Sequence, residues 1–333
     1  MRMILMRLIP GLALVSCVAL LGTGCSAFSD SASDDGEVTV AAAFYPLAWV
    51  TERVSEDTGT TVELLTQPGG EAHDLELGVQ ETAIVSGADL VVLQADFQPA
   101  VDDTVEQNAT GVVLDVSDAA DLLAVEESAE NHEEYAGETE EEHAEHADEE
   151  GHDEHGHDHD HGDADPHFWL DPLRVADVAD TVADQLADVD PDQADTYRGN
   201  ADDLRTELEA LDDTWATGLA SCERDTIVVS HDAFGYLEKY GLHVASIVGL
   251  SPDAEPTPAA LGELQELIET EGITTVFSEP LKPALGENLA ADLGLSTATL
   301  DPLEGLADAN SDDDYLSIMN ANLAAIRTAL DCS

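Results

Sequence analysis

The sequence predicts an α/β protein with two lobes, each built on a parallel β-sheet, joined by one long interlobe α-helix. From Glu37 onward, short runs rich in β-branched residues alternate with helical patterns, which favours βαβ units and parallel sheets. Four of these runs precede the middle of the chain and four follow it. The eight predicted strands are Val38–Phe44, Thr61–Thr66, Asp89–Leu93, Val112–Val116, Thr226–Ser230, His243–Val248, Thr274–Phe277 and Thr297–Leu300.

The long helix is predicted between the two groups of strands, over residues 191–221. Pro191 suits a first helical turn. Apolar residues then recur at spacings of three and four, on one helical face; they are Tyr197, Ala201, Leu204, Leu208, Leu211, Trp215 and Leu219. About thirty residues at 1.5 Å each span about 45 Å, enough to run along both lobes. We therefore expect an N-terminal lobe over residues 37–190 and a C-terminal lobe over residues 222–333.

The chain is strongly acidic throughout. It has 73 Asp and Glu against 10 Lys and Arg, for a formal net charge of −63 over 333 residues. No nucleic-acid partner is expected, because binding phosphates needs a basic face. Residues 126–165 hold 19 of the acids and eight of the twelve histidines, but no Val, Ile, Leu, Met, Phe or Trp. Such a segment buries too little apolar surface to fold, so we predict a disordered insertion in the N-terminal lobe.

Residues 1–25 are predicted to be a lipoprotein export signal. A short basic start is followed by an apolar stretch, and small residues precede Cys25, which would be lipidated. The small, polar residues 26–36 suit a tether to the membrane surface. Gly22 stands where a leucine is usual, three places before the cysteine, so Cys17 stays open as the lipidated residue. An ordinary cleaved signal and a single membrane-spanning helix stay open as well.

Two cysteines remain in the exported part, Cys222 and Cys332. An exported compartment permits a disulfide between them. The bridge would close a loop of about 110 residues and stabilise the fold by at most about 4–5 kcal/mol. Two free or partly buried thiols are the alternative.

Four residues outside the insertion's histidine run are candidates for a metal site. His73 follows the second strand, His231 the fifth and Asp301 the eighth. Ligands in open α/β sheets gather beyond the carboxyl ends of the strands. His167 comes directly after the insertion. Three neutral imidazoles and one carboxylate could make a tetrahedral site of the kind that Zn²⁺ accepts.

The motifs around these residues resemble a known family. From about Val38 to Leu330 the chain is similar to the metal-binding lipoproteins of zinc and manganese ABC importers, the cluster A-I solute-binding proteins. The resemblance rests on Ala43-Phe44-Tyr45-Pro46-Leu47, Pro68-Gly69-Gly70-Glu71-Ala72-His73, Asp165-Pro166-His167-Phe168-Trp169-Leu170-Asp171-Pro172, Ser230-His231-Asp232-Ala233-Phe234-Gly235-Tyr236 and Leu300-Asp301-Pro302-Leu303. It implies two lobes joined by one long helix and a metal in the cleft between them. The ligands that it implies are His73, His167, His231 and Asp301.

The resemblance also favours zinc over manganese. In this family the third ligand tends to be histidine in zinc binders and carboxylate in manganese binders, and here it is His231. Imidazole nitrogens suit Zn²⁺, whereas Mn²⁺ prefers more oxygen. Glu279, after the seventh strand, is predicted to orient a liganding imidazole. One departure is Ala72, where some zinc members have an acid, and Glu71 is one place further from the histidine.

A histidine-rich insertion is typical of the zinc members, and we interpret it as a low-affinity collector of Zn²⁺ near the cleft. Most of its imidazoles are expected to be neutral at pH 7 or above. The predicted auxiliary ligands are His152, His155, His157, His159 and His161. The alternative is a solvated spacer that binds metal only because any histidine-rich run does.

These features predict a lipid-anchored receptor on the extracellular face of the cytoplasmic membrane, periplasmic in a host with an outer membrane. It would pass Zn²⁺ to an ABC permease and its ATPase. The alternatives are a manganese or iron receptor, a metal buffer or adhesin without a transporter, and a zinc hydrolase. A hydrolase needs an open fourth metal position and a general base, and the sequence has no His-Glu-x-x-His pattern. We expect no enzyme activity.

Overall fold

The computed structural model describes residues 38–124, 164–308 and 311–333. Within these ranges it has two four-stranded sheets, and every strand lies within two residues of a predicted one at either end. The strands are β1 (Thr39–Ala42), β2 (Thr61–Leu64), β3 (Leu90–Leu93), β4 (Val112–Asp115), β5 (Thr226–His231), β6 (His243–Val248), β7 (Thr275–Ser278) and β8 (Ser296–Thr299).

The two sheets share one topology. Their strand orders are β2-β1-β3-β4 and β6-β5-β7-β8, and all neighbouring pairs are parallel. The inner strands β3 and β5 are buried along their whole length, because helices cover both faces of a parallel sheet. The predicted fold of two parallel-sheet lobes is confirmed. In each lobe the carboxyl ends of the strands share one edge, where ligands of such sheets gather.

Nine helices cover and connect the strands in the described ranges. They are α1 (Tyr45–Val54), α2 (Val79–Gly87), α3 (Pro99–Asn108), α4 (Ser117–Ala120), α5 (Pro172–Val189), α6 (Ala194–Leu219), α7 (Pro258–Glu271), α8 (Ala284–Leu293) and α9 (Tyr315–Ala329). Side chains cap several of them. Asp171 accepts a hydrogen bond from the Leu173 backbone at the start of α5, and Thr257 accepts one at the start of α7. These bonds satisfy amides that a first helical turn leaves without partners.

The long helix α6 contacts both lobes. A single 3₁₀ turn, Pro191–Gln193, precedes it. All seven apolar residues of the predicted stripe are buried. Asn200 donates a hydrogen bond to the Val54 carbonyl of the N-terminal lobe, and Asp212 accepts one from Tyr240 of the C-terminal lobe. The helix therefore packs along both lobes and resists a wide separation between them.

Two apolar cores lie beneath these elements. The larger core runs from the first sheet through α5 and α6 to β5 and α9, and the smaller one lies between the second sheet and helices α7 and α8. The larger core is continuous from one lobe to the other. The described residues accordingly belong to one compact unit.

Several sequence predictions concern residues outside the described ranges and stay predictions. They are the export signal with Cys25 or Cys17, the tether over residues 26–36, the disordered insertion as far as residue 163, and the auxiliary ligands His152, His155, His157, His159 and His161. The last two residues of the predicted insertion are ordered, since Ala164 pairs with Ala124 and Asp165 is buried. Among the residues that are described, no helix combines the length and the apolar character needed to cross a bilayer.

Cys222 and Cys332 form a disulfide that closes a separation of 110 residues. Cys222 follows the end of α6 and Cys332 follows the end of α9, so the bridge joins the segments that follow these two helices. The alternative of two free thiols is not what the structure shows.

Replacing both cysteines by serine should lower the free energy of unfolding by up to about 4–5 kcal/mol, because the unfolded chain regains the entropy of an open loop. Urea denaturation of the variant and the parent protein measures the difference. Equal midpoints and slopes for the two proteins would show that the bridge does not stabilise the fold.

Candidate metal centre

Four side chains from distant parts of the chain converge where the two lobes meet. His231 is the last residue of β5, and His73 lies in the loop that follows β2. His167 directly precedes the 3₁₀ turn Phe168–Leu170, and Glu304 lies in the loop after β8. Three of the four therefore come from the carboxyl ends of strands, as ligands of an open α/β sheet should.

The potential ligand atoms of these residues surround a single point. Glu304 Oε1 lies 2.9 Å from His231 Nε2, 3.3 Å from His73 Nε2 and 3.4 Å from His167 Nε2. The Nε2 atoms of His73 and His167 are 3.3 Å apart. Ligand atoms about 2.0–2.1 Å from a tetrahedral zinc ion lie about 3.3–3.4 Å from one another. The observed spacings are close to the edges of such a shell.

The four side chains are almost completely shielded from solvent. Those of His167 and His231 are fully buried, and those of His73 and Glu304 are 1% and 4% exposed. Aromatic rings form part of the wall, with the Phe97 ring 4.9 Å from the ring of His73. Charges buried in this way are costly unless they are paired. The arrangement therefore requires protons or a cation between the groups.

Two further carboxylates fix the orientation of two of the three imidazoles. Asp165 Oδ1 accepts hydrogen bonds from His167 Nδ1 at 2.7 Å and from the His167 backbone at 3.0 Å. Glu279 Oε1 accepts one from His231 Nδ1 at 2.6 Å, which is the contact that its predicted role requires. Because the Nδ1 atoms of His167 and His231 donate to carboxylates, the Nε2 atoms of these two rings face the shared point. There the Nε2 lone pairs are available to a metal.

The pKa values of His73, His231 and Glu304 follow from their burial and their mutual charges. Burial lowers the pKa of His73 and outweighs the attraction of Glu304. Burial also opposes the charged form of His231, but the charge of Glu304 and the hydrogen bond to Glu279 outweigh it and raise the pKa of His231 to about 10. Burial opposes the charged form of Glu304 as well, but the surrounding imidazoles hold its pKa well below the usual range. A metal must therefore displace a proton to enter.

Asp301, the carboxylate predicted as the fourth ligand, does not belong to this group, and Glu304 takes that place. Asp301 Oδ1 instead accepts a hydrogen bond from the Leu303 backbone at 2.8 Å. The Asn322 side chain holds the backbone of Asp301 through a bond in each direction. Asp301 is thus engaged in a turn, and its shorter side chain stays outside the cluster.

This turn directs the Glu304 side chain toward the three buried histidines. Leu303 has a φ of +62°, a left-handed conformation that costs about 1–2 kcal/mol for a residue with a β-carbon. The hydrogen bond from its backbone to Asp301 and the complete burial of its side chain hold it there. The strained residue turns the chain so that the next side chain points back into the cluster.

Sequence reasoning missed Glu304 and Asp165. Glu304 is a second carboxylate three residues after Asp301, on the far side of a proline, and that spacing was the available signal. Asp165 lies two residues before His167, a separation at which an Asp side chain can reach the backbone amide of the later residue. Which carboxylate approaches the metal depends on the backbone of each turn, and the residue types alone do not specify it.

Substitutions at Asp301 and Glu304 should separate a turn-forming carboxylate from a ligand. We expect Asp301→Asn to keep zinc affinity within a few-fold, because the amide oxygen still accepts from Leu303. Asp301→Ala should weaken binding more, and Glu304→Gln should weaken it most. Competition titration against a chelator measures all three. A loss in Asp301→Asn as large as that in Glu304→Gln would restore Asp301 as the ligand.

Removing the carboxylates behind the imidazoles should weaken metal binding without removing a ligand. We expect Asp165→Ala and Glu279→Ala each to lower zinc affinity about 10–100-fold, the usual effect of losing such a partner. Glu279→Gln, whose amide oxygen still accepts from Nδ1, should lose less. The surface variant Asp184→Asn, which breaks an exposed pair with Arg198, is the control and should bind zinc like the parent.

The chain matches a known family over almost its whole described length. Residues 40–329 fit the family described as ZnuA, zinc-uptake complex component A, periplasmic. The zinc-binding lipoprotein AdcA of Streptococcus pneumoniae is 32% identical, over 96% of this chain and 60% of its own length. The chain therefore spans 60% of that relative. The high-affinity zinc uptake system protein ZnuA of Bacillus subtilis is 30% identical, over 96% of this chain and 97% of its own length.

A solved structure has the same fold. The zinc-bound ZnuA-like domain of Streptococcus pneumoniae AdcA aligns with a TM-score of 0.67 and 28% identity, covering 89% of this chain and 99% of the domain. The resemblance that the sequence motifs predicted is confirmed. The chain belongs to the ZnuA family of zinc-uptake complex components.

Proposed function

We propose that the protein captures one Zn²⁺ outside the cytoplasmic membrane and delivers it to the permease of an ABC importer. The buried group of His73, His167, His231 and Glu304 carries this proposal. Its spacings suit a single tetrahedral ion, and two of its imidazoles are already turned toward that ion by carboxylates. Capture and release need no bond chemistry. They need ligands that close around the ion and a way for these ligands to open.

The donor set supports zinc over manganese. Three of the four groups offer imidazole nitrogen, and Glu304 supplies the carboxylate oxygen. Zn²⁺ accepts such a shell, whereas Mn²⁺ prefers more oxygen ligands. The names of the relatives AdcA and ZnuA, a zinc-binding lipoprotein and a zinc uptake protein, point the same way.

The same geometry argues against the hydrolase alternative. A catalytic zinc site keeps one position open for water or substrate. Here Glu304 approaches all three imidazoles and occupies the fourth corner. We therefore propose a transport receptor that is not an enzyme.

We further propose that Cys25 carries a lipid anchor and that an ABC permease with its ATPase receives the metal. Two observations support a location outside the cytoplasm. The family is described as periplasmic, and one relative is named a lipoprotein. Mass spectrometry of the membrane-extracted protein would identify the lipidated residue and separate Cys25 from Cys17.

Metal titration of the exported part of the chain, residues 26–333, tests the proposed cargo. Demetallated protein should bind one Zn²⁺ tightly, and Mn²⁺ in large excess should not displace it. His167→Ala should abolish tight binding, because a ligand is lost from a shell of four. Equal affinity for the two metals would favour the manganese receptor, and no tight site at all would overturn the proposal.

The insertion needs a deletion designed around the structure. Removing residues 126–163 keeps Asp165, which orients His167, and Ala164, which pairs with Ala124. We expect the tight site to remain and additional weak zinc binding to disappear. Uptake at limiting zinc should fall if the insertion collects metal. Unchanged uptake would leave the insertion as a spacer.

A further inference from the structure

Lys282 forms an ion pair between the lobes beside the metal centre. The chain has two lysines, and this one follows β7 in the C-terminal lobe. Its Nζ lies 3.1 Å from Glu71 Oε2 and 2.7 Å from Asp253 Oδ1. Asp253 belongs to the same lobe as Lys282. Glu71 belongs to the N-terminal lobe, on the loop that carries His73, so the Lys282–Glu71 pair joins a ligand loop of one lobe to the other lobe.

A small cavity is lined by one residue of the buried cluster, Glu304, and one residue of this ion pair, Glu71. Glu279, Asp301 and Leu281, the neighbour of Lys282, line it as well. Side-chain exposure rises in the same direction, from 4% at Glu304 to 19% at Glu71 and 28% at Lys282. The Glu71 and Lys282 side of the cavity is therefore closer to solvent than the Glu304 side.

We propose that Lys282 is a positioning residue for metal exchange, which closes the mouth of this cavity by holding the His73 loop against the C-terminal lobe. The inference rests on the proposed function as a zinc receptor. For a zinc ion to enter or leave, the Lys282–Glu71 pair must break. Glu71 can then turn toward the passing cation.

The loop has a second attachment that makes such a local opening possible. The Gly69 backbone donates a hydrogen bond to the Leu306 carbonyl of the C-terminal lobe at 2.7 Å. Gly69 has a φ of +81°, which glycine adopts without strain. This backbone contact does not depend on Lys282. When the ion pair breaks, the segment from Glu71 to His73 can move while the loop stays attached at Gly69.

The Lys282–Glu71 ion pair is weak enough to break during metal exchange. Both side chains are partly exposed, and ion pairs of this kind contribute little to stability and break readily. Carboxylates along a cavity also attract cations and raise their local concentration. Lys282 therefore affects how fast the metal exchanges more than how the metal is coordinated.

The rate of zinc release to a chelator, measured by stopped flow on the exported part of the chain, tests this role. We expect release about tenfold faster in Lys282→Met and in Glu71→Gln, and a rate close to that of the parent in Lys282→Arg, which keeps the charge. The double variant Lys282→Met/Glu71→Gln should be no faster than either single one, because both remove the same contact. Release rates that add up in the double variant would overturn the pair as the unit of closure.

A control variant separates closure of the cavity from general loosening. Lys239→Met removes the other interlobe lysine, which binds Asp171 and Asp212 away from the cavity, and should lower the unfolding midpoint without accelerating release. Faster release in Lys239→Met equal to that in Lys282→Met would overturn the inference.

Zinc stoichiometry and the visible spectrum of the Co²⁺-substituted protein report on coordination itself. Both should be the same in Lys282→Met as in the parent, because no ligand is changed. An altered spectrum would show that Lys282 acts through the coordination shell, against the inference. A parent protein that binds no zinc would instead overturn the proposed function, whereas tight binding with equal release rates would overturn the role of Lys282 alone.

Discussion

The whole arrangement depends on three imidazoles and one carboxylate facing a single buried point. Without a cation or protons, the lone pairs and the negative charge of Glu304 would repel one another in a dry interior, which is costly. The raised pKa of His231 is the consequence in the metal-free protein. In the proposed receptor, a divalent cation replaces the proton and interacts with all four groups at once. The surrounding structure holds the four groups close together in spite of this repulsion.

Neither lobe contains all four groups, so the site forms only where the two lobes meet. His73 comes from the N-terminal lobe, and His231 and Glu304 come from the C-terminal lobe. The larger apolar core and helix α6 extend across both lobes, so the lobes resist wide separation. The interlobe contacts near the site are individual polar contacts and not an extended apolar core. They include the hydrogen bond from Trp169 to the Pro302 carbonyl and the ion pair of Lys282. Local movement of loops is therefore easier than separation of the lobes.

The acidic composition of the chain and the donor set of the site affect cations in different ways. A chain with a formal net charge of −63 concentrates cations around itself, but general attraction gives no selectivity for one metal. The nitrogen-rich donor set of the proposed receptor suits Zn²⁺ better than metals that prefer oxygen. In the proposed receptor, surface charge raises the local concentration of cations and the buried cluster selects among them.

The sequence by itself determined the alternation of strands and helices and the apolar stripe of α6. It also indicated the three histidines of the buried cluster, His73, His167 and His231. Hydrophobic periodicity and strand ends are local features, and local features can be derived from residue types. Tertiary structure alone decided that Glu304, and not Asp301, completes the cluster, and that Asp165 orients His167. Those choices depend on the left-handed turn at Leu303 and on distances between segments far apart in the chain, because a carboxylate becomes a ligand only where the backbone directs it to the ion.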